Sequence, residues 1–199
     1  MTPIVVSDVL AVGEFPSPEQ IEILAKAGFR SILNNQPDGE VDRFPGSAAV
    51  AAAASRHGLA SAYAPIASRH PSTEELALFA EAMNSLPAPI YAFCYSGSRS
   101  AAACAFTLTE AREADAIIAE FDRAGFDIAS LKPWLEDERQ RRVPAKANGT
   151  GNGPAHGAAP VAGASAQFPL PEPASLPAAS AVQGIVVHAR AAGFGGFAM

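Results

Sequence analysis

The chain has 199 residues, a hydrophobic fraction of 49% and a formal net charge of −6. That fraction permits a sizeable buried core. With no basic run and no stripe interleaving basic with aromatic residues, nucleic acid is not an expected partner, and no apolar run is long enough to span a bilayer.

The start, Met1 to Asp8, has neither a basic segment nor a long apolar core, so no signal peptide is expected and the cytoplasm is the expected location. Ile4–Val6 and Val9–Val12 read as short strands. Ser17-Pro18-Glu19-Gln20 opens a helix with a capping box and a proline at its first position. Ile21, Leu24 and Ala25 form its apolar stripe and Gly28 ends it. Phe29–Leu33 is a strand, 34–42 a polar loop, and Ser47–His57 a helix closed by Gly58. Ala60–Ile66 is a strand. Ser72-Thr73-Glu74-Glu75 is a second capping box, opening a helix to Leu86. Ile90–Phe93 is the next strand, and helices follow over Ser98–Glu110, Glu113–Ala124 and Ile128–Arg141.

Strands alternating with helices predict an α/β fold: a mostly parallel sheet flanked by helices, with right-handed crossovers. The chain divides at Val143. Residues 1–143 form the expected domain. Residues 144–199 are mostly Ala, Gly, Pro and Ser with almost no charge, a composition expected to stay disordered as a tail or linker. Within it, Gly184–His188 reads as a short strand before Gly193, Gly195 and Gly196. That spacing is not G-x-G-x-x-G, so a Gly-rich tail is the reading adopted over a dinucleotide-binding unit.

The chemistry concentrates in Cys94-Tyr95-Ser96-Gly97-Ser98-Arg99, followed by Ser100. Cys94 stands where a buried strand ends and a helix begins. Backbone N–H groups at a helix start favour an anion, so Tyr95, Ser96, Gly97 and Ser98 are expected to cradle a phosphate-like group. The same field turns a thiol into a usable nucleophile. Arg99 is placed to grip two oxygens bidentately. The Ser100 hydroxyl is placed to hydrogen-bond the sulfur and ease its departure when an intermediate breaks down. Cys104 falls mid-helix on an Ala/Phe face and reads as inert core. Two cysteines, one of them reactive, argue for a reducing compartment rather than a disulfide scaffold. No metal or other cofactor is expected.

The segment from Phe93 to Ser100 resembles the cysteine loop of the beta-lactamase hydrolase-like phosphatase-like domains, a branch of the protein tyrosine phosphatase superfamily. Asn34-Asn35-Gln36-Pro37-Asp38-Gly39-Glu40 resembles that family's loop after its strand, and Ala124–Ile128 with Leu131-Lys132-Pro133 resembles its closing helix. The resemblance spans residues 3–140. It implies a tyrosine/dual-specificity phosphatase-like fold, a cysteinyl-phosphate intermediate, and a phosphorylated small molecule or phosphoprotein as partner. Some members are fused to a sulfide:quinone-type flavoprotein or a metallo-β-lactamase-like domain, which implies a functional link to a sulfide-oxidising flavoprotein.

Two departures keep alternatives open. Tyrosine phosphatases carry C-x5-R after a histidine; here the loop is C-x4-R after Phe93, the length found in rhodanese sulfurtransferases. A sulfurtransferase or persulfide carrier using the same cysteine is therefore an alternative, as is a phosphate-binding module with little turnover. Larger relatives also protonate the leaving group with an aspartate on a mobile loop, and 66–71 holds no carboxylate. Asp38, then His70, are the expected donors; Glu40 is on the same loop as Asp38.

Overall fold

The computed structural model describes residues 3–143; the expected tail and its glycine-rich end lie outside them. Five strands form one sheet in the order β1-β2-β5-β3-β4. They are β1 (Ile4–Ser7), β2 (Leu10–Glu14), β3 (Ser31–Asn34), β4 (Ala60–Tyr63) and β5 (Ile90–Cys94). Only β1 runs antiparallel, Ile4 facing Val12 across a tight turn. β2, β5, β3 and β4 are parallel.

Six helices cover the sheet: α1 (Pro18–Lys26), α2 (Ser47–Arg56), α3 (Thr73–Ser85), α4 (Ser98–Leu108), α5 (Ala114–Ala124) and α6 (Lys132–Arg142). Strand alternation sorts the core into two layers. Leu10, Val12, Leu33, Ile90 and Ala92 point to one face, with Phe79 of α3, Ala101 to Phe106 of α4, Ile117 and Phe121 of α5 and Leu135 of α6. Ala11, Ile32, Tyr91 and Phe93 point to the other, with Ile21 and Leu24 of α1 and Val50, Ala53 and Ala54 of α2. The central strand β5 is buried along its whole length, as a parallel strand covered on both faces must be.

Both capping boxes form. Ser17 and Gln20 exchange side-chain-to-backbone bonds at α1, and Ser72 and Glu75 do so at α3. Several boundaries differ from the sequence reading, three of them instructively. β2 runs two residues further, to Glu14, because it pairs with β5 as far as Cys94. β4 stops at Tyr63: Ala64 N–H still bonds to Asn34 O, but Ile66 N–H bonds to Asn35 O, so two residues on one strand advance against one on the other and the regular ladder ends. The closing helix begins with a 3₁₀ turn, Ala129–Leu131, and α6 starts at Lys132 with Pro133 in its first turn. Among the described residues no helix is long and apolar enough to cross a membrane.

Candidate active site

The carboxyl ends of β2, β5 and β3 lie side by side, where parallel sheets place their ligands. Cys94 is the last residue of β5 and is fully buried. The turn after it closes on Gly97, which takes φ +84° at the N-cap of α4. No side chain caps this helix. Its first backbone N–H groups are therefore left for a ligand inside the turn. Ser96 Oγ and Ser98 Oγ hydrogen-bond each other at 3.1 Å.

Two glycines let this turn settle against β2. A Cβ on Gly97 would lie 3.1 Å from Gly13 Cα, C and O, on top of the left-handed φ that side chains resist. A Cβ on Gly13 would fall 2.3 Å from the Tyr91 hydroxyl, which donates to Glu14 O at 2.7 Å. Burial raises the Tyr91 pKa far above that of a free phenol, so the hydroxyl stays a donor.

Arg99 leaves the first turn of α4 and is buried. Its Nη1 donates to Glu40 Oε2 at 2.7 Å and to Ile66 O at 2.9 Å; its Nη2 donates to Gln36 Oε1 at 3.0 Å. Gln36 Nε2 donates to the same Glu40 Oε2 at 2.8 Å. Of the roughly five N–H donors of a guanidinium, these contacts use three, and a further hydrogen bond goes to the Cys94 sulfur. Burial opposes its charge, but the hydrogen bond it donates to Glu40, the Cys94 sulfur alongside and the Glu40 charge outweigh it, and the Arg99 pKa is raised. The guanidinium is thus a fixed cation against the thiol.

The loop after β3 supplies this support. Asn35 N–H bonds to Phe93 O at 2.8 Å, its Nδ2 donates to Ala64 O at 2.8 Å, and its Oδ1 accepts from Ser100 Oγ at 2.8 Å. One side chain therefore ties the end of β5, the segment after β4 and the first turn of α4. Asn34 Oδ1 accepts Gln36 N–H at 2.9 Å, shaping the turn that aims Gln36 at Arg99. The sequence reading valued this loop for its resemblance and for Asp38; it missed Asn35 and Gln36 as positioning groups and weighed Glu40 only as an acid. The available signal was a run of amides and a carboxylate directly after a strand that neighbours β5.

The structure brings Cys94, Gly97, Arg99 and Ser100 together. The Ser100 hydroxyl gives its proton to Asn35 rather than to the sulfur. Asp38 is turned toward α2, whose N-cap residue Gly46 has no side chain: its two carboxylate oxygens accept from Ser47 N–H at 2.7 Å and Ser47 Oγ at 2.6 Å. His70 packs on Trp134, with ring centroids 4.1 Å apart, and neighbouring Arg69 Nη2 donates to Asp127 O at 3.0 Å. Cys104 is buried among apolar neighbours, its thiol pKa pushed up to about 12 chiefly by desolvation.

Residues 4–112 match the family described as beta-lactamase hydrolase-like protein, phosphatase-like domain. A beta-lactamase hydrolase-like protein of Xylella fastidiosa is 30% identical over 135 residues, covering 66% of this chain but only 31% of that protein. Among solved structures, a candidate phosphatase from Neisseria meningitidis superposes with a TM-score of 0.62 at 20% identity, over 68% of this chain and 96% of the other. The kinase associated phosphatase, with its catalytic-site cysteine replaced by serine, gives 0.57 at 17% identity, over 71% and 94%. At these identities the likeness is one of fold.

Proposed function

Because this chain belongs to the phosphatase-like domain family of the beta-lactamase hydrolase-like proteins, we propose that it is a cysteine-dependent phosphatase acting on phosphate monoesters through a cysteinyl-phosphate intermediate. One observation carries this reading: a buried cysteine at a strand end faces an uncapped helix start and a charged guanidinium that the protein holds in place. The Cys94 sulfur attacks phosphorus; the S–P bond forms, the P–O bond to the leaving group breaks, and that oxygen takes a proton. Water then attacks phosphorus, the S–P bond breaks, and inorganic phosphate leaves. The backbone N–H groups of 95–99 and the remaining Arg99 donors follow the charge on the equatorial oxygens through both steps.

Glu40 and Gln36 act through Arg99. They fix its orientation before substrate arrives, so less freedom is lost on binding. Asp38 and His70 are the side-chain candidates for the leaving-group proton. Their engagement with Ser47 and Trp134 favours solvent as donor, and hence substrates with weakly basic leaving groups. Asp38→Asn and His70→Ala then reduce turnover of alkyl and nitrophenyl phosphates in equal proportion; a selective loss on the alkyl ester identifies the acid.

Quenched turnover followed by intact-mass analysis tests the mechanism. A rise of about 80 Da on Cys94 is expected for a phosphoryl group, against about 32 Da for one sulfur atom after thiosulfate. Cys94→Ser is expected to lose turnover while still binding phosphate. Full activity in that variant, or only the sulfur adduct, overturns the proposal.

A further inference from the structure

Beside the loop lies a cavity of about 300 Å³ whose walls include Gly13, Glu14, Arg43, Tyr95, Ser96 and Phe126. Tyr95 and Ser96 follow the nucleophile directly, and Glu14 pairs with Cys94 across the β2–β5 ladder. A leaving group departing from a phosphorus held over Cys94 therefore has this space next to it. Its volume suits a single substituted ring or a short polar chain.

The cation on its rim is held in an unusual way. The Arg43 guanidinium carbon lies 5.2 Å from the Phe15 ring centroid and 5.2 Å from that of Tyr95. The two rings are 6.4 Å apart. Phe15 packs edge-on against Phe44 at 5.7 Å, and Phe44 against Phe93 of β5 at 6.4 Å. The aromatic platform under Arg43 thus runs back to the strand that carries the nucleophile. Rings attract the face of a guanidinium and leave its N–H edge for a planar anion. A pre-held arginine also gives up less side-chain freedom on gripping one.

We propose, resting on the phosphatase reading, that this cavity is the leaving-group subsite and that Arg43 selects phosphate esters whose leaving group carries a second anion, a carboxylate or a further phosphate. Arg43 touches the leaving group, not the reacting phosphorus.

The full-length protein is assayed with 4-carboxyphenyl phosphate and its neutral isostere, 4-carbamoylphenyl phosphate. The carbamoyl phenol is the better leaving group, an intrinsic factor common to the wild type and every variant, so the change in the carboxylate-to-carbamoyl ratio of kcat/KM is what reads Arg43. Arg43→Gln is expected to lower that ratio by roughly fivefold at low salt, the scale of a partly exposed ion pair, by less as salt rises, and Arg43→Lys to lower it less. The ratio within each variant cancels any loss of folded protein. A ratio untouched by Arg43→Gln overturns the proposal. If neither ester is hydrolysed, the phosphatase reading itself has failed. The subsite then stands or falls on the same ratio measured as calorimetric affinity of the Cys94→Ser variant for the two esters.

Discussion

Cys94 and Cys104 belong to one strand–turn–helix unit and both are buried, yet their neighbours are of opposite kinds. Cys94 meets a guanidinium and an uncapped helix start. Cys104 meets alanines and Phe106 in the apolar layer under α4, and burial raises its thiol pKa to about 12. Burial therefore does not make a nucleophile. On the proposed mechanism, a buried sulfur serves as one only where donors and a positive charge, assembled from elsewhere in the chain, replace the water it has lost.

Removing the planar fork at the Cys94 end should have the largest effect. Arg99→Lys keeps the charge but not the geometry, and kcat/KM for an aryl phosphate is expected to fall about 100-fold, as for loss of a preorganised oxyanion donor. A loss under about threefold would show that charge alone suffices.

Gly97→Ala attacks the turn itself. The left-handed φ and the 3.1 Å approach to the Gly13 backbone predict a loss of about 1–3 kcal/mol in stability, read by urea denaturation, together with weaker phosphate binding. Gly125→Ala, also at positive φ but with nothing within 4 Å of its Cβ, is the control and should cost less.

Glu40→Gln tests whether the support matters apart from the loop. It keeps a hydrogen-bond acceptor for Arg99 Nη1 but removes the charge. The expected result is roughly a tenfold loss in kcat, on the scale of one charge-assisted hydrogen bond, with an unchanged Tm. An equal loss in alkyl and nitrophenyl phosphate turnover marks Glu40 as a positioning residue; a loss confined to the alkyl ester would make it the proton donor.

Cys104 has the smallest expected effect on turnover and gives the clearest contrast. Below about pH 9 its thiol is neutral in both folded and unfolded chains. Above that the unfolded chain releases a proton that the folded chain retains up to about pH 12. Stability should therefore fall as pH rises through this window, with this one group contributing at most about 1.4 kcal/mol per unit. Cys104→Ala should make the loss between pH 8 and 10.5 shallower in urea denaturation. An unchanged slope would mean that Cys104 is not shielded as the packing indicates.

Much of this molecule was legible because the causes are local. Ser17 and Ser72 cap their helices with the side chain three positions on, a geometry that sequence spacing alone sets. Gly97 and Arg99 belong to the same short turn as Cys94, so the cradle was readable as a motif. Alternating strands and helices were enough for a mostly parallel sheet, because crossover handedness follows from strand twist.

What held the site together was not local. Strand order places β3 beside β5, and only that adjacency carries Asn35 to Ser100 and Gln36 and Glu40 to Arg99. Asp38 shares its loop with Glu40, and the sequence favours Asp38 as the donor. Packing gave it to Ser47, at the start of a helix with a glycine N-cap. Arg43 had no pattern to mark it, since its two rings come from β2's exit and the cysteine turn. The sequence alone determined the layered fold, the capped helices and the cysteine turn, because each rests on spacing along the chain. The tertiary structure decided which polar groups face that turn, because their contacts join residues far apart in the chain and depend on which strands lie side by side.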